Sequence, residues 1–162
     1  ICWKLEENKL KPDDADVREL FFPKGATHDA YVEIKKILNL ANRAISIIDP
    51  YLDGSIFQML KSNPSVAMSV KLLSSELPSD FALEAKKFAT QHSTVSLEIR
   101  KTKEFHDRFI IIDNTRCFHI GASIKDAGGK AFMISPVEDK ANADALFLQQ
   151  QRSWEDASPF NF

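Results

Sequence analysis

The spacing of hydrophobic residues changes several times along this chain, between the period of a helix and that of a strand. From Thr27, a predicted N-cap, apolar residues recur at helical spacing as far as Ala41. Residues 44–49 then form a β-branched run, typical of a buried strand, that ends at Pro50. The same alternation continues and predicts helices over 53–61 and 78–91, and strands over 66–73 and 94–100.

The remainder of the chain is richer in strands. Two apolar runs, 108–112 and 116–120, flank the turn sequence Asp113-Asn114-Thr115. A short strand is predicted over 131–135, and a closing helix over 140–154 with Ala145, Leu148 and Trp154 as its apolar residues. Helices that alternate with short strands favour an α/β fold, here a mixed β-sheet flanked by helices. No internal repeat is visible in the sequence.

The start of the chain has a different character. Residues 1–25 contain a helix-start signal at residues 12–16 and a stop at residues 21–25, and we predict a lead-in or linker segment that packs Phe21 and Phe22 on the domain. The domain itself is predicted over 26–162. Since the sequence does not begin with Met, we expect a fragment of a longer protein.

Composition narrows the class of protein. The 162 residues suffice for one domain with a real core, and 44% hydrophobic with 27% charged residues is ordinary for a soluble protein. The net charge of −2 gives no general basic field, although Arg100, Lys101, Lys103 and Arg108 cluster locally. No apolar stretch is long enough to span a membrane, and Cys2 and Cys117 match no ligand spacing. We therefore expect a cytoplasmic domain without membrane contact.

Residues 105–126 carry side chains suited to a phosphate. Alternation puts His106 and Arg108 on the same side at the mouth of a strand, and the next strand runs back to bring Ser123 and Lys125 beside them. A neutral imidazole can attack phosphorus or move a proton, and the cations can hold nonbridging oxygens. A carboxylate is needed to orient the imidazole, and Asp113 follows the strand.

Each candidate also has a structural interpretation. Asp113 could begin a turn, Ser123 could cap the next segment, and Lys125 and Asp126 could be solvated loop charges. For other residues the structural role is favoured: a strand exit for Asp49 and Tyr51, an edge position for His119, helix ends for His28 and His92, and a turn for Gly128-Gly129. For Lys101 and Lys103, surface solubility and attraction of an anionic substrate are equally favoured.

These residues resemble the signature of the phospholipase D superfamily, which is histidine, any residue, lysine, four residues, aspartate, then a glycine-serine turn ending in asparagine. The matching positions are His106, Arg108, Asp113, Gly121 or Ala122, Ser123 and Lys125. Arginine stands in place of the family's lysine, and Lys125 in place of its usual asparagine. The order of elements over 44–135, with Asp-Pro-Tyr near residue 50, also resembles that family's α/β half.

The resemblance implies a phosphodiesterase, and the basic residues near the motif favour a nuclease. His106 would form a phosphohistidine without metal or cofactor, with Arg108, Asp113, Ser123 and Lys125 in the catalytic site. Arg108, Lys125, Lys103 and Tyr51 would contact a nucleic acid or other phosphodiester. The family uses two motifs per active site and this chain has one, so a homodimer is implied, or a second half from the missing part of the polypeptide. The alternative is a non-catalytic phospholipase D-like domain that binds nucleic acid or another anion.

Overall fold

The computed structural model of the chain describes residues 18–60 and 65–162. Within these residues eight strands form one mixed sheet in the order β1-β7-β6-β5-β2-β3-β4-β8. The elements are β1 (Leu20–Phe22), α1 (Thr27–Asn39), β2 (Ala44–Ile48), α2 (Ser55–Met59), β3 (Met68–Ser74), α3 (Phe81–Gln91), β4 (Val95–Lys101), β5 (Arg108–Ile112), β6 (Arg116–Ile120), β7 (Phe132–Pro136), α4 (Lys140–Asp156) and β8 (Ser158–Pro159).

Strand direction decides which loops meet. Strands β2, β3 and β4 are parallel, whereas β5 runs antiparallel to β2 and β6 antiparallel to β5. The carboxyl ends of β2, β3, β4 and β6 therefore share one edge of the sheet with the amino end of β5. We call this the upper edge. The turn between β5 and β6 lies at the opposite, lower edge.

Helices cover both faces of the sheet. Helices α1, α2 and α3 pack on one face, where Ile47, Leu72 and Ile110 are fully buried in the larger core cluster. On the other face Trp154 of α4 packs in a smaller cluster with Ile111. Successive residues of a strand point to opposite faces, so the continuous apolar runs of β2 and β5 serve both clusters.

The predicted mixed sheet flanked by helices is confirmed. Strands β5 and β6 have the predicted bounds. Two details were wrong. Thr27 is the first residue of α1 rather than its N-cap, since Ala26 holds that position without a side-chain cap. Ala145 and Leu148 are exposed on α4, because that helix buries a narrow side formed by Ala143, Gln150, Ser153 and Trp154.

Two short strands lie outside the predicted elements. Strand β1 pairs with β7, and Phe22 stacks on Phe132 with ring centroids 4.9 Å apart, while Phe21 is exposed. Residues 20–22 of the predicted lead-in segment are thus part of the sheet, and the helix-start signal at residues 12–16 lies outside the described residues. Strand β8 pairs with β4. Neither of the described ranges contains a helix with the length and apolarity that a membrane span requires.

Candidate active site

Most of the predicted site residues meet at the upper edge of the sheet. Lys103 and His106 lie in the loop between β4 and β5, and Arg108 is the first residue of β5. Ser123 and Lys125 follow β6, which is the neighbour of β5 in the sheet. The chain therefore runs along β5, turns, and comes back along β6 to the edge that holds the loop of His106, as the sequence predicts.

Asp49 joins the end of β2 to the turn after β6. Its side chain is fully buried, and its carboxylate accepts hydrogen bonds from Ser123 Oγ at 2.8 Å and from the backbone N–H groups of Ile124 at 2.7 Å and Tyr51 at 2.9 Å. A carboxylate that is buried needs such donors to replace water. Ser123 is itself buried, so its hydroxyl serves this junction rather than facing solvent.

Arg108 stands in front of the Asp49 carboxylate. Its Nε lies 4.0 Å from Asp49 Oδ1, and its side chain is 24% exposed. Within the described ranges, Arg108 Nε is the buried side-chain nitrogen that lacks a hydrogen-bond partner. No hydrogen bond in that part of the chain occupies the two terminal guanidinium nitrogens. Asp49 thus pairs with the guanidinium at Nε, and the two terminal nitrogens remain available for a bidentate phosphate contact.

The other candidates at the upper edge are more exposed. His106 is exposed and forms no hydrogen bond, ion pair or ring contact with another described residue. Lys125 pairs with Asp126 at 3.3 Å, and Lys103 is exposed. Tyr51 is 48% exposed and follows Asp49 by two residues. An exposed imidazole beside a partly buried guanidinium can reach a ligand from solvent.

Asp113 is not brought to His106. It follows β5 at the lower edge, and its carboxylate accepts hydrogen bonds from the backbone N–H groups of Asn42 at 3.0 Å, Arg43 at 2.8 Å and Ala44 at 2.9 Å. Burial acts to raise the pKa of Asp113, but these three bonds and the charge of Arg43 outweigh it, so the pKa is lowered. The expectation that Asp113 orients the imidazole is therefore not met, because β5 separates the two residues.

Two acidic residues have roles that the sequence interpretation missed. A plain strand exit was favoured for Asp49, although an acidic residue that follows a β-branched run and precedes Pro50 is a detectable signal for a strand-end site. Asp107 pairs with His119, with 3.3 Å between Oδ1 and Nε2. Because His119 is paired with Phe109 in the sheet and Arg108 with Ile120, the histidine lies on the opposite face from Arg108.

The described residues contain no group of three His, Cys, Asp or Glu side chains that could hold a metal ion. Cys117 is a buried free thiol, and burial raises its pKa to about 12. It is therefore a core residue of the α4 face rather than a nucleophile.

Comparison with known proteins gives matches in structure and none in sequence. No protein-family model and no curated sequence matches this chain. Nuc from Salmonella typhimurium, a phospholipase D family member, is similar in structure with a TM-score of 0.65 and 18% identity, over 91% of this chain and 99% of that one. NucT from Helicobacter pylori gives a TM-score of 0.64 and 13% identity, over 88% of this chain and 99% of that one.

A third similar structure is TrmBL2, described as an archaeal chromatin protein with a novel mode of DNA binding. It gives a TM-score of 0.61 and 17% identity, over 91% of this chain, and this chain spans 56% of it. Likeness at this level of identity is a likeness of fold. Taken with the mixed sheet and its flanking helices, these matches show that the chain has the fold of the phospholipase D superfamily.

Proposed function

We propose that this chain is a phosphodiesterase that cleaves nucleic acid through His106 without a metal ion. The observation that carries the proposal is that an exposed imidazole and an arginine whose terminal nitrogens have no described partner lie two residues apart, on the upper edge of a phospholipase D fold. An open guanidinium fork recognises a phosphate by geometry as well as charge, and a neutral imidazole can act as a nucleophile.

In the proposed reaction, His106 attacks the phosphorus atom of a phosphodiester. A nitrogen–phosphorus bond forms as the bond to the leaving oxygen breaks, and Arg108 stabilises the charge that develops on the nonbridging oxygens. The leaving oxygen takes a proton from a second acid. Water then attacks the phosphorus of the phosphohistidine, the nitrogen–phosphorus bond breaks, and the deprotonated second group takes the proton of the water, which releases the product and restores His106. Lys125 and Lys103 would bind neighbouring phosphates.

The second acid is proposed to be His106 of a second copy of the chain. The sequence has one histidine motif, and His119, which pairs with Asp107, lies on the opposite face of the sheet from Arg108. A homodimer that joins two upper edges would supply both histidines. A second half provided by a further part of the polypeptide would do the same. We include a cytoplasmic location in this proposal, since the buried Cys117 is a free thiol.

A second candidate function is nucleic-acid binding without turnover. Two observations favour it: among the described residues no carboxylate contacts His106, and the Asp49 carboxylate lies 4.0 Å from Arg108 and offsets part of its charge. In this case Arg108 and Lys125 would still recognise phosphate. TrmBL2, a DNA-binding protein by its description, shares the fold.

One experiment separates the two functions. The protein is incubated with single- and double-stranded DNA and with bis-p-nitrophenyl phosphate, in the presence of EDTA. We expect cleavage that persists in EDTA and is lost in His106→Ala. His92→Ala is the control, because His92 lies between α3 and β4 at the lower edge.

Equal cleavage by wild type and His106→Ala would rule out the proposed mechanism. Absence of cleavage, combined with DNA binding that weakens in Arg108→Ala but not in Arg116→Ala, would support the binding function instead. Arg116 suits this comparison because it begins β6 at the lower edge, away from His106.

A further inference from the structure

A groove of about 310 Å³ lies on the upper edge, beside the candidate phosphate site. Its lining includes Tyr51, Asp53, Glu76, Leu77, Pro78 and Lys125. We propose that this groove binds one unpaired nucleobase next to the phosphate held by Arg108, so that the substrate is single-stranded nucleic acid. The inference rests on the proposed function, whose substrate it narrows.

The two walls of the groove are tied together by the chain itself. One wall follows β2 and the other follows β3, and the backbone N–H groups of Ser75 and Glu76 both donate to Pro50 O, at 3.2 and 2.8 Å. The backbone N–H of Leu52 donates to Ser74 Oγ at 3.3 Å, and Leu52 is buried beneath the groove. A groove built in this way is preformed, so a ligand need not order it.

Tyr51 provides an aromatic surface on a backbone segment that hydrogen bonds hold to Asp49 and Ser123. Its backbone N–H donates to Asp49 at 2.9 Å and its carbonyl accepts from Ser123 Oγ at 3.2 Å. Its side chain is half exposed and makes no hydrogen bond or ring–ring contact with another described residue. A base can therefore stack on the ring, which is how proteins commonly bind single strands.

The charges in the groove favour a base over a second phosphate. Asp53 and Glu76 bring two carboxylates, whereas Lys125 brings one cation that already pairs with Asp126 at 3.3 Å. Asp53 accepts hydrogen bonds from Ser55, but Glu76 is exposed and its carboxylate has no partner among the described residues. A free carboxylate accepts from an amino group such as N4 of cytosine, so Glu76 favours amino-bearing bases over thymine.

The size of the groove argues against a duplex. At about 310 Å³ it lies at the lower end of the range of ligand pockets, roughly 300–1,000 Å³. Bases in a duplex are covered on both faces by their neighbours and must be flipped out to enter such a site. A single strand presents its bases without that penalty.

The test measures binding by His106→Ala protein, so that the ligand is not cleaved. Fluorescein-labelled oligonucleotides are compared at fixed salt: oligo-dC, oligo-dT, an abasic strand and a duplex. We expect oligo-dC to bind about tenfold more tightly than the abasic strand, and a further Tyr51→Ala substitution to remove that advantage. Tyr51→Phe should keep it, since the ring remains.

Two matched variants complete the test. Glu76→Gln should reduce the preference for oligo-dC over oligo-dT, because an amide offers a weaker acceptor. Leu148→Ala is the neutral control, because Leu148 is exposed on α4 and lies outside the groove. A thermal melt of each variant shows that the fold is kept.

The outcomes distinguish this inference from the proposed function. Equal affinity for oligo-dC, abasic strand and duplex, with wild-type cleavage of bis-p-nitrophenyl phosphate intact, would overturn the base groove but not the phosphodiesterase. Base-dependent binding without cleavage of any diester would support the groove and contradict the enzyme. Binding of glycerophosphocholine that depends on Tyr51, with no base preference, would assign the groove to a cationic headgroup and overturn the inference.

Discussion

At the scale of single residues, two aspartates occupy strand ends and hold the sheet together at opposite edges. Asp49 ties the end of β2 to the turn after β6, and Asp113 ties the β5–β6 turn to the start of β2. Both carboxylates accept bonds from backbone N–H groups, which otherwise lack partners at strand ends. The Asp49 junction lies at the upper edge, where it positions Arg108 and the turn that carries Ser123 and Lys125.

Asp113→Ala should lower the free energy of unfolding by about 2 kcal/mol, because three backbone donors lose a charged acceptor. Asp113→Asn should cost less, since its amide oxygen still accepts and Asn tolerates the left-handed backbone at φ 53°. Urea denaturation of the three proteins measures both differences. Equal stability of wild type and Asp113→Ala would contradict this role.

The contribution of Asp113 should also depend on pH. Its pKa in the folded protein is below its ordinary value of 3.8, so the folded state favours the carboxylate. The stability difference between wild type and Asp113→Asn should be constant above about pH 5 and shrink as pH falls through 3.8 and below. A difference that grows on acidification would have the wrong sign.

Asp49 and Ser123 should be energetically coupled. Asp49→Asn replaces one acceptor oxygen by an amino group that faces backbone donors, and should cost about 1–3 kcal/mol. Ser123→Ala removes one donor to the same carboxylate and should cost about 1 kcal/mol. In a double-mutant cycle the two losses should add to more than the loss in the double variant, whereas simple additivity would show that the contact at 2.8 Å is not energetically significant.

At the scale of elements, α4 is the helix that covers the second face of the sheet. It begins after Asp139, whose carboxylate accepts a hydrogen bond from the backbone N–H of Asn142 at 2.8 Å. Near its end, the ring of Trp154 contacts the cationic groups of Arg100 and Lys71, which lie 4.6 and 5.1 Å from the ring centroid. Helix α4 thus depends on a cap at its start and an aromatic contact near its end.

Asp139→Ala should therefore destabilise the protein by about 1 kcal/mol through loss of this N-cap. Asp139→Ser is the matched control and should recover most of the loss, because serine caps equally well. Thermal unfolding followed by circular dichroism gives both values. If alanine and serine are equally destabilising, the bond to Asn142 does not carry the effect.

At the scale of the whole molecule, the sheet order determines which residues can act together. His106, Arg108, Ser123 and Lys125 share an upper edge because β5 and β6 are antiparallel neighbours. The described chain provides one exposed histidine motif at that edge. The proposed two-histidine reaction therefore requires a second copy of the edge, and the assembly becomes a testable property of the site.

Mixing wild type with His106→Ala tests the shared site. If each active site uses His106 from two copies, refolding equal amounts together should reduce the wild-type activity to about half, since mixed dimers are inactive. Activity on bis-p-nitrophenyl phosphate and sedimentation of the mixture are measured side by side. Unchanged activity in a refolded sample that sediments as dimers, or active protein that sediments only as monomer, would contradict a composite site.

Local patterns were sufficient to predict the helices and strands that bury apolar side chains. The spacing from Thr27 predicted α1, and the apolar run over 108–112 predicted β5 with its observed bounds. Strands β1 and β8 escaped prediction because they have only three and two residues and are held by backbone pairing as the outermost strands of the sheet. The exposed positions Ala145 and Leu148 were mispredicted because hydrophobicity alone does not show which side of α4 meets the sheet.

For the site, the sequence by itself determined the residue types and the strand–turn–strand that brings Ser123 and Lys125 back toward His106, since both depend on local spacing. Only the tertiary structure decided which carboxylate lies beside Arg108 and Ser123. Asp113 is five residues from Arg108, yet a strand of that length carries it to the lower edge. Asp49 is distant in sequence, and the antiparallel pairing of β2 with β5 sets it beside Arg108.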